Sequence, residues 1–151
     1  MKLQKNNKLT IIVTGSVCSG KTTFAKKLAE DNDFGYVDIS KLIKEKKLFD
    51  SYDQKRKCLV VDVRKLNKFL IKIIKKSKKS LVLDSHLSHY LHPKYVDICF
   101  VTKTDLKVLK KRLEKRKYSK EKIRENLDVD IFDICYNEAL SLGHKVIVVS
   151  N

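Results

Sequence analysis

A chain of 151 residues with 42% hydrophobic and 34% charged residues reads as one globular domain, long enough for a real core and short for two. No apolar run approaches the roughly 20 residues of a membrane span, and polar Met1–Lys8 precedes an apolar run too short for a signal peptide, so a cytosolic or nuclear protein is expected. Lys and Arg total 34 against 18 acids, a formal +16 that favours polyanionic neighbours such as RNA, although the Lys, Ile and Asn usage of an AT-rich genome accounts for the same excess.

In chain order, LTIIVT (9–14) reads as a buried strand and KTTFAKKLAEDN (21–32) as a helix with Phe24, Ala25 and Leu28 on one face. GYVDI (35–39) is a second strand, and Ser40 is a plausible cap for a helix over 40–48. Segment 62–79 sets Leu66, Phe69, Leu70, Ile73 and Ile74 on one helical stripe with lysines opposite. Strands follow at 80–85 and 96–102, a helix at 104–116, a helical stretch from Ser119 to about Leu142, and a last strand at 145–150. Five short, mostly apolar strands separated by helices predict a three-layer α/β domain, a parallel five-stranded sheet with helices on both faces. Cys18, Cys58, Cys99 and Cys135 form no C-x-x-C pair, which argues against zinc, and Cys99 and Cys135 read as reduced core residues.

One stretch carries chemistry: Gly15-Ser-Val-Cys-Ser-Gly20-Lys21-Thr22 fits the P-loop pattern G-x-x-x-x-G-K-[ST], follows a strand and opens a helix. Its glycines let the backbone from Gly15 through Cys18 and Ser19 to Gly20 curl, so that successive N–H groups face a phosphate at the positive end of the helix. Lys21 is expected to reach the β- and γ-phosphates of a nucleoside triphosphate and the Thr22 hydroxyl to ligate Mg²⁺. Thr102-Lys-Thr-Asp105 resembles a guanine-reading motif, but the chain's glycines (15, 20, 35 and 143) leave no D-x-x-G, so Thr104-Asp105 reads as a helix cap.

A nucleoside monophosphate kinase needs three more parts. Asp84, ending a strand, suits the metal-organising acid, with a loop cap as its plainer reading. Arg112 and Arg116, four apart on one helix face and two of only five arginines, suit a cationic lid at about 115–125 that grips transferring phosphoryl oxygens. A solvated basic face is the alternative. Residues 38–61 are left as a small acceptor flap, where Lys44 could hold a monophosphate and Asp53, beside Tyr52, could hydrogen-bond a base or sugar; ordinary surface chemistry explains these three equally well.

GSVCSGKTT, LFDSYD (48–53), VLDSH (82–86), VTKTDLKVLKKRLEKRKYS (101–119) and ENLDVDIFDICYNEA (125–139), taken in order, resemble the adenylate kinase isoenzyme 6 family, also called the coilin-interacting nuclear ATPase protein family. The resemblance spans roughly residues 9–151. It implies a compact P-loop monophosphate-kinase fold, Mg²⁺-dependent adenylate kinase and ATPase activities on ATP and AMP, and a role in maturing the small ribosomal subunit. A small-subunit ribosomal protein and pre-ribosomal RNA are the implied partners. It carries ATP binding to Cys18, Gly20, Lys21, Thr22, Thr23 and Arg116, and ties His86 of the D-x-H pair Asp84/His86 to ATP hydrolysis by orienting a water. The chain departs from the family pattern at Lys44 (an arginine there), Ser51 (a glycine) and Cys18 (the loop's central glycine). The first two bear on AMP affinity, and Cys18 crowds the loop and adds an oxidisable thiol. Members of this family continue into a further C-terminal helix.

Overall fold

A computed structural model describes residues 1–3 and 7–150. Five parallel strands form one sheet in the order β2-β5-β1-β6-β7: β1 (Thr10–Gly15), β2 (Gly35–Asp38), β5 (Leu81–Asp84), β6 (Ile98–Lys103) and β7 (Val146–Ser150). β1 is buried along its whole length because it lies at the centre, covered on both faces. One face packs Ile12, Leu83, Cys99 and Val101 against α2 (Ile39–Glu45), α3 (Val63–Lys76) and α6 (Ile134–Ser141). The other packs Ile11, Val13, Val82 and Phe100 against α1 (Lys21–Asn32). Cys99 and Cys135 are buried free thiols, as the sequence indicates, and burial raises both thiol pKa values, that of Cys99 to about 12.

Local chemistry sets the element ends and corrects three expectations. Helix α2 is capped by the Asp38 carboxylate, which accepts from Lys41 N at 3.1 Å, so it begins one turn-position before Ser40. Residues 38–61 hold an antiparallel hairpin that the sequence hid, β3 (Phe49–Asp53) and β4 (Cys58–Val61), paired Phe49 to Val61 with a bulge near Ser51. The stretch after Ser119 is two helices, α5 (Lys120–Ile131) and α6, separated by Asp133 in the left-handed conformation at φ 51°. That break has a reason. Asp130 and Cys135 line the same small cavity beside Gly15 and Thr102, yet five residues turn a continuous helix by about 140°, so a straight helix could not aim both at it. An ion pair from Lys103 at the end of β6 holds Asp133 in the joint. Helix α4 (Leu106–Lys115) starts at Asp105, whose carboxylate accepts from Lys107 N and Val108 N, confirming the capping reading of that acid.

Candidate active site

The strand order reverses at β1, so the loops leaving β1, β5 and β2 open on one cleft beyond the carboxyl ends of the strands. Gly15 ends β1 at φ +145°, and a Cβ there would lie 2.5 Å from Thr102 Oγ1 and 2.7 Å from its carbonyl oxygen, so β6 admits only glycine at that point. Gly20 caps α1 at φ 90°. Cys18 takes φ 65° where a glycine would be free, a strain of about 1 kcal/mol.

The loop is braced from behind. Thr102 donates to Thr14 O at 3.3 Å, the Ser19 hydroxyl donates to Thr102 Oγ1 at 2.7 Å, and Ser19 N donates to Ser16 O at 3.2 Å. Ser19 and Gly15, both expected to contact the nucleotide, are not among the residues lining the cleft, and the Ser19 side chain turns back onto Thr102, where it helps set the curl of the loop. Ser16 Oγ donates to the buried Asp130 carboxylate of α5 at 3.0 Å, a brace with no motif to announce it. Lys21 spans the loop, its Nζ donating to Ser16 O at 2.8 Å. Loss of hydration lowers the Lys21 pKa, and Asp84 is the strongest charge opposing that shift.

The cleft, of about 1020 Å³, gathers Cys18, Gly20, Lys21, Thr22 and Thr23 of the loop, Asp84 and His86 from the end of β5, and Arg112 and Arg116 of α4. Arg112 reaches over the loop, Nη1 donating to Cys18 O at 3.0 Å. The expected lid is only the turn between α4 and α5, with Lys117 at φ 58° and Lys122 stacked 4.4 Å from the Tyr118 ring. Asp38 and Ser40, which no motif marks as site residues, line the same cleft, as does Lys115 of the expected lid. Asp38 had a signal in hindsight: it ends β2 as Asp84 ends β5, and the register pairs the two. Lys44, Tyr52 and Asp53 do not line the cleft. Asp53 accepts from Arg56 N at 3.0 Å in the hairpin turn, and Tyr52 is exposed. Lys44 lies one helical turn beyond Ser40, on the face that Ser40 presents to the cleft.

Asp84 is 5% exposed, and its Oδ2 accepts from the Tyr36 hydroxyl at 2.7 Å. Its other oxygen makes no hydrogen bond among the described residues. A buried carboxylate with one oxygen left over, beside the Thr22 hydroxyl, is an all-oxygen set that fits a hard divalent cation such as Mg²⁺. Tyr36 thereby fixes the carboxylate from behind. Tyr36→Phe should raise the Mg²⁺ concentration giving half-maximal rate by about 10- to 100-fold. Metal-free ATP affinity, measured by calorimetry, should stay the same; a parallel loss without Mg²⁺ would contradict this role.

His86 opens on the cleft from a crowded concave wall. The residue is exposed on its cleft side, but the protein wall around the ring and then the Lys21 charge push its pKa below the ordinary value, to about 4, so the ring is neutral at physiological pH. The loop that carries it is nailed down by His89, 1% exposed, whose Nε2 lies 2.7 Å from Glu138 Oε2 and whose Nδ1 lies 2.7 Å from Thr14 Oγ1. Glu138 only accepts, so neutral His89 carries its proton on Nε2, and Thr14 donates to Nδ1. Burial lowers the His89 pKa, and Glu138 opposes the shift. For both histidines the folded value lies below the unfolded one of about 6.5, so the unfolded chain takes up protons first as pH falls. Stability is full above that value, and the melting temperature should drop as pH falls from about 7 to about 5. A flat melting temperature over that window would contradict the neutral pair.

A P-loop whose lysine, hydroxyl and strand-end carboxylate face two arginines across one cleft defines a phosphotransferase of the P-loop kinase class. An AAA-domain family model matches residues 11–133. The chain is 35% identical over 145 residues to an adenylate kinase isoenzyme 6 homolog from Dictyostelium discoideum, covering 96% of this chain and 82% of the relative. It is 35% identical over 139 residues to one from Schizosaccharomyces pombe, covering 91% and 78%. The shikimate kinase of Acinetobacter baumannii, solved with shikimate, superposes with a TM-score of 0.64 at 14% identity, over 96% of this chain and 86% of the kinase, which is a likeness of fold. The chain belongs to the adenylate kinase isoenzyme 6 family and is a nucleoside monophosphate kinase.

Proposed function

We propose that the cleft moves the γ-phosphoryl group of ATP onto the α-phosphate of AMP, giving two ADP, and onto water when AMP is absent. The observation that carries this reading is the convergence of Lys21, Thr22, Asp84, Arg112 and Arg116 on one cleft. The reaction needs no general base on a phosphate acceptor; positioning and charge do the work. Lys21 and the loop amides hold the β- and γ-oxygens, and Arg112 and Arg116 neutralise charge on the transferring group from the opposite wall. Thr22 and Asp84 would hold Mg²⁺, which supplies charge neutralisation between the phosphates. The acceptor lies toward α2, where Ser40 and Lys44 share a face and Lys44 takes the monophosphate. Neutral His86 can accept a hydrogen bond from water at the cleft, which favours the hydrolytic branch.

That branch suits a second role, in maturing the small ribosomal subunit in the cytoplasm or nucleus, with a small-subunit ribosomal protein and pre-ribosomal RNA as partners. The +16 charge supports it. Transfer is tested by following the label of γ-labelled ATP. Label entering ADP when AMP is present is expected; label entering inorganic phosphate alone would refute the kinase reading and leave an ATPase.

A further inference from the structure

The chain's positive charge is not evenly spread. In α3 the exposed residues are Arg64, Lys65, Lys68, Lys72, Lys75 and Lys76, every one a cation, and the helix contains no acid. The exposed helix α5, by contrast, mixes Lys120, Lys122 and Arg124 with Glu121, Glu125 and Asp128. Codon usage that favours lysine does not by itself clear the acids from one helix. Among the described residues, none of these six side chains is in an ion pair.

Lys65, Lys68, Lys72 and Lys75 follow one another at three- and four-residue steps, so they form one stripe about 15 Å long. The Lys8 ammonium adds to its far end, donating to Ile74 O and Ser77 O at 3.0 Å each. The opposite face, Leu66, Leu70 and Ile74, is buried in the core and holds the helix in place. The stripe thus gives the fold nothing. Like charges three or four apart destabilise a helix, and a bound polyanion relieves that repulsion.

We propose that the outer face of α3 is a binding surface for the phosphate backbone of a nucleic acid. Lysine ammoniums are point charges without a base-reading fork, so the contact is independent of sequence. A nucleic acid fits better than an anionic membrane, because no apolar or aromatic side chain of α3 is exposed beside the lysines to enter a bilayer. No residue of α3 lines the cleft, so occupancy leaves the kinase site open. The proposal gives a place to the nucleic-acid part of the second role above and is independent of phosphoryl transfer.

Fluorescence anisotropy tests it with the whole chain, a labelled RNA strand of about 20 nucleotides and RNA and DNA duplexes of similar length, from about 50 to about 200 mM salt. In the triple variant Lys68→Gln, Lys72→Gln, Lys75→Gln, the slope of log affinity against log salt should be shallower by about two to three units. A control with equal charge loss elsewhere, Lys2→Gln, Lys94→Gln, Lys145→Gln, should keep most of the wild-type affinity, and both variants should keep the wild-type melting profile and kinase rate. Comparison of the three probes identifies the preferred nucleic acid. Equal loss in both variants would overturn the α3 surface while leaving nucleic-acid binding in place. No binding by the wild type at the lowest salt would overturn both that surface and the RNA partner, with the kinase reading judged separately by label transfer. In a parallel sedimentation assay with phosphatidylserine vesicles, binding that the triple variant loses while its nucleic-acid affinity stays at the wild-type level would overturn it in favour of a membrane.

Discussion

Lys21→Met is expected to lower the rate of ADP formation from ATP and AMP by about 10³-fold or more, the scale seen when a cation that neutralises a transferring phosphoryl group is removed. The methionine fills similar space but carries no charge and cannot donate. Lys21 holds Ser16 O at 2.8 Å, and among the described residues it is the only lysine on the phosphate-loop wall of the cleft. The brackets that shape the loop, Ser16 to Asp130 and Ser19 to Thr102, do not involve it. The variant should therefore melt within a few degrees of the wild type, as followed by circular dichroism. A folded Lys21→Met protein with near-normal turnover would contradict the assignment.

Asp84→Asn should cost about 10²- to 10³-fold in turnover, in the range of losing one fixed electrostatic group at a reacting centre. Asparagine keeps the shape and an oxygen to accept from Tyr36, so the buried position survives. What disappears is the negative charge, and with it two functions. The oxygen pair offered to a divalent cation becomes weaker, and Lys21 loses the strongest charge that opposes its depressed pKa. The variant's rate should need more Mg²⁺, and its activity should fall off at lower alkaline pH than the wild type's. Steady-state rates across Mg²⁺ concentration and pH read both effects. A variant with unchanged Mg²⁺ dependence would return Asp84 to a capping role.

Much of this site was legible in the sequence because its signals are local. The P-loop lies within eight residues, strand and helix flank it, and an acid ends the apolar run Leu81–Asp84. Arg112 and Arg116 needed only helical spacing, and both line the cleft. The misses are of another kind, set by tertiary contacts without local pattern. The bond from the Ser19 hydroxyl to Thr102, 83 residues distant, is one that the motif does not announce. Asp130 meets the site through its hydrogen bond to Ser16, and Tyr36 through its hydrogen bonds to Asp84 and Thr22. The hairpin β3–β4 escaped because its burial alternates weakly, half of it facing outward, so no apolar run marked it. The helical pattern after Ser119 looks continuous in sequence because the break at Asp133 uses a left-handed aspartate in place of the usual glycine.

The central claim concerns geometry: a donor triphosphate held between the loop and two guanidinium groups, with its acceptor on the side of α2. The most direct measurement is a crystal structure with a dinucleotide in which five phosphates join two adenosines, a stand-in for ATP and AMP together. The account predicts the phosphate chain along Gly20–Thr22, Arg112 and Arg116 closed over it, and the second adenosine seated against Ser40 and Lys44. A phosphate chain bound away from that loop, or both arginines turned to solvent above an ordered ligand, would contradict it.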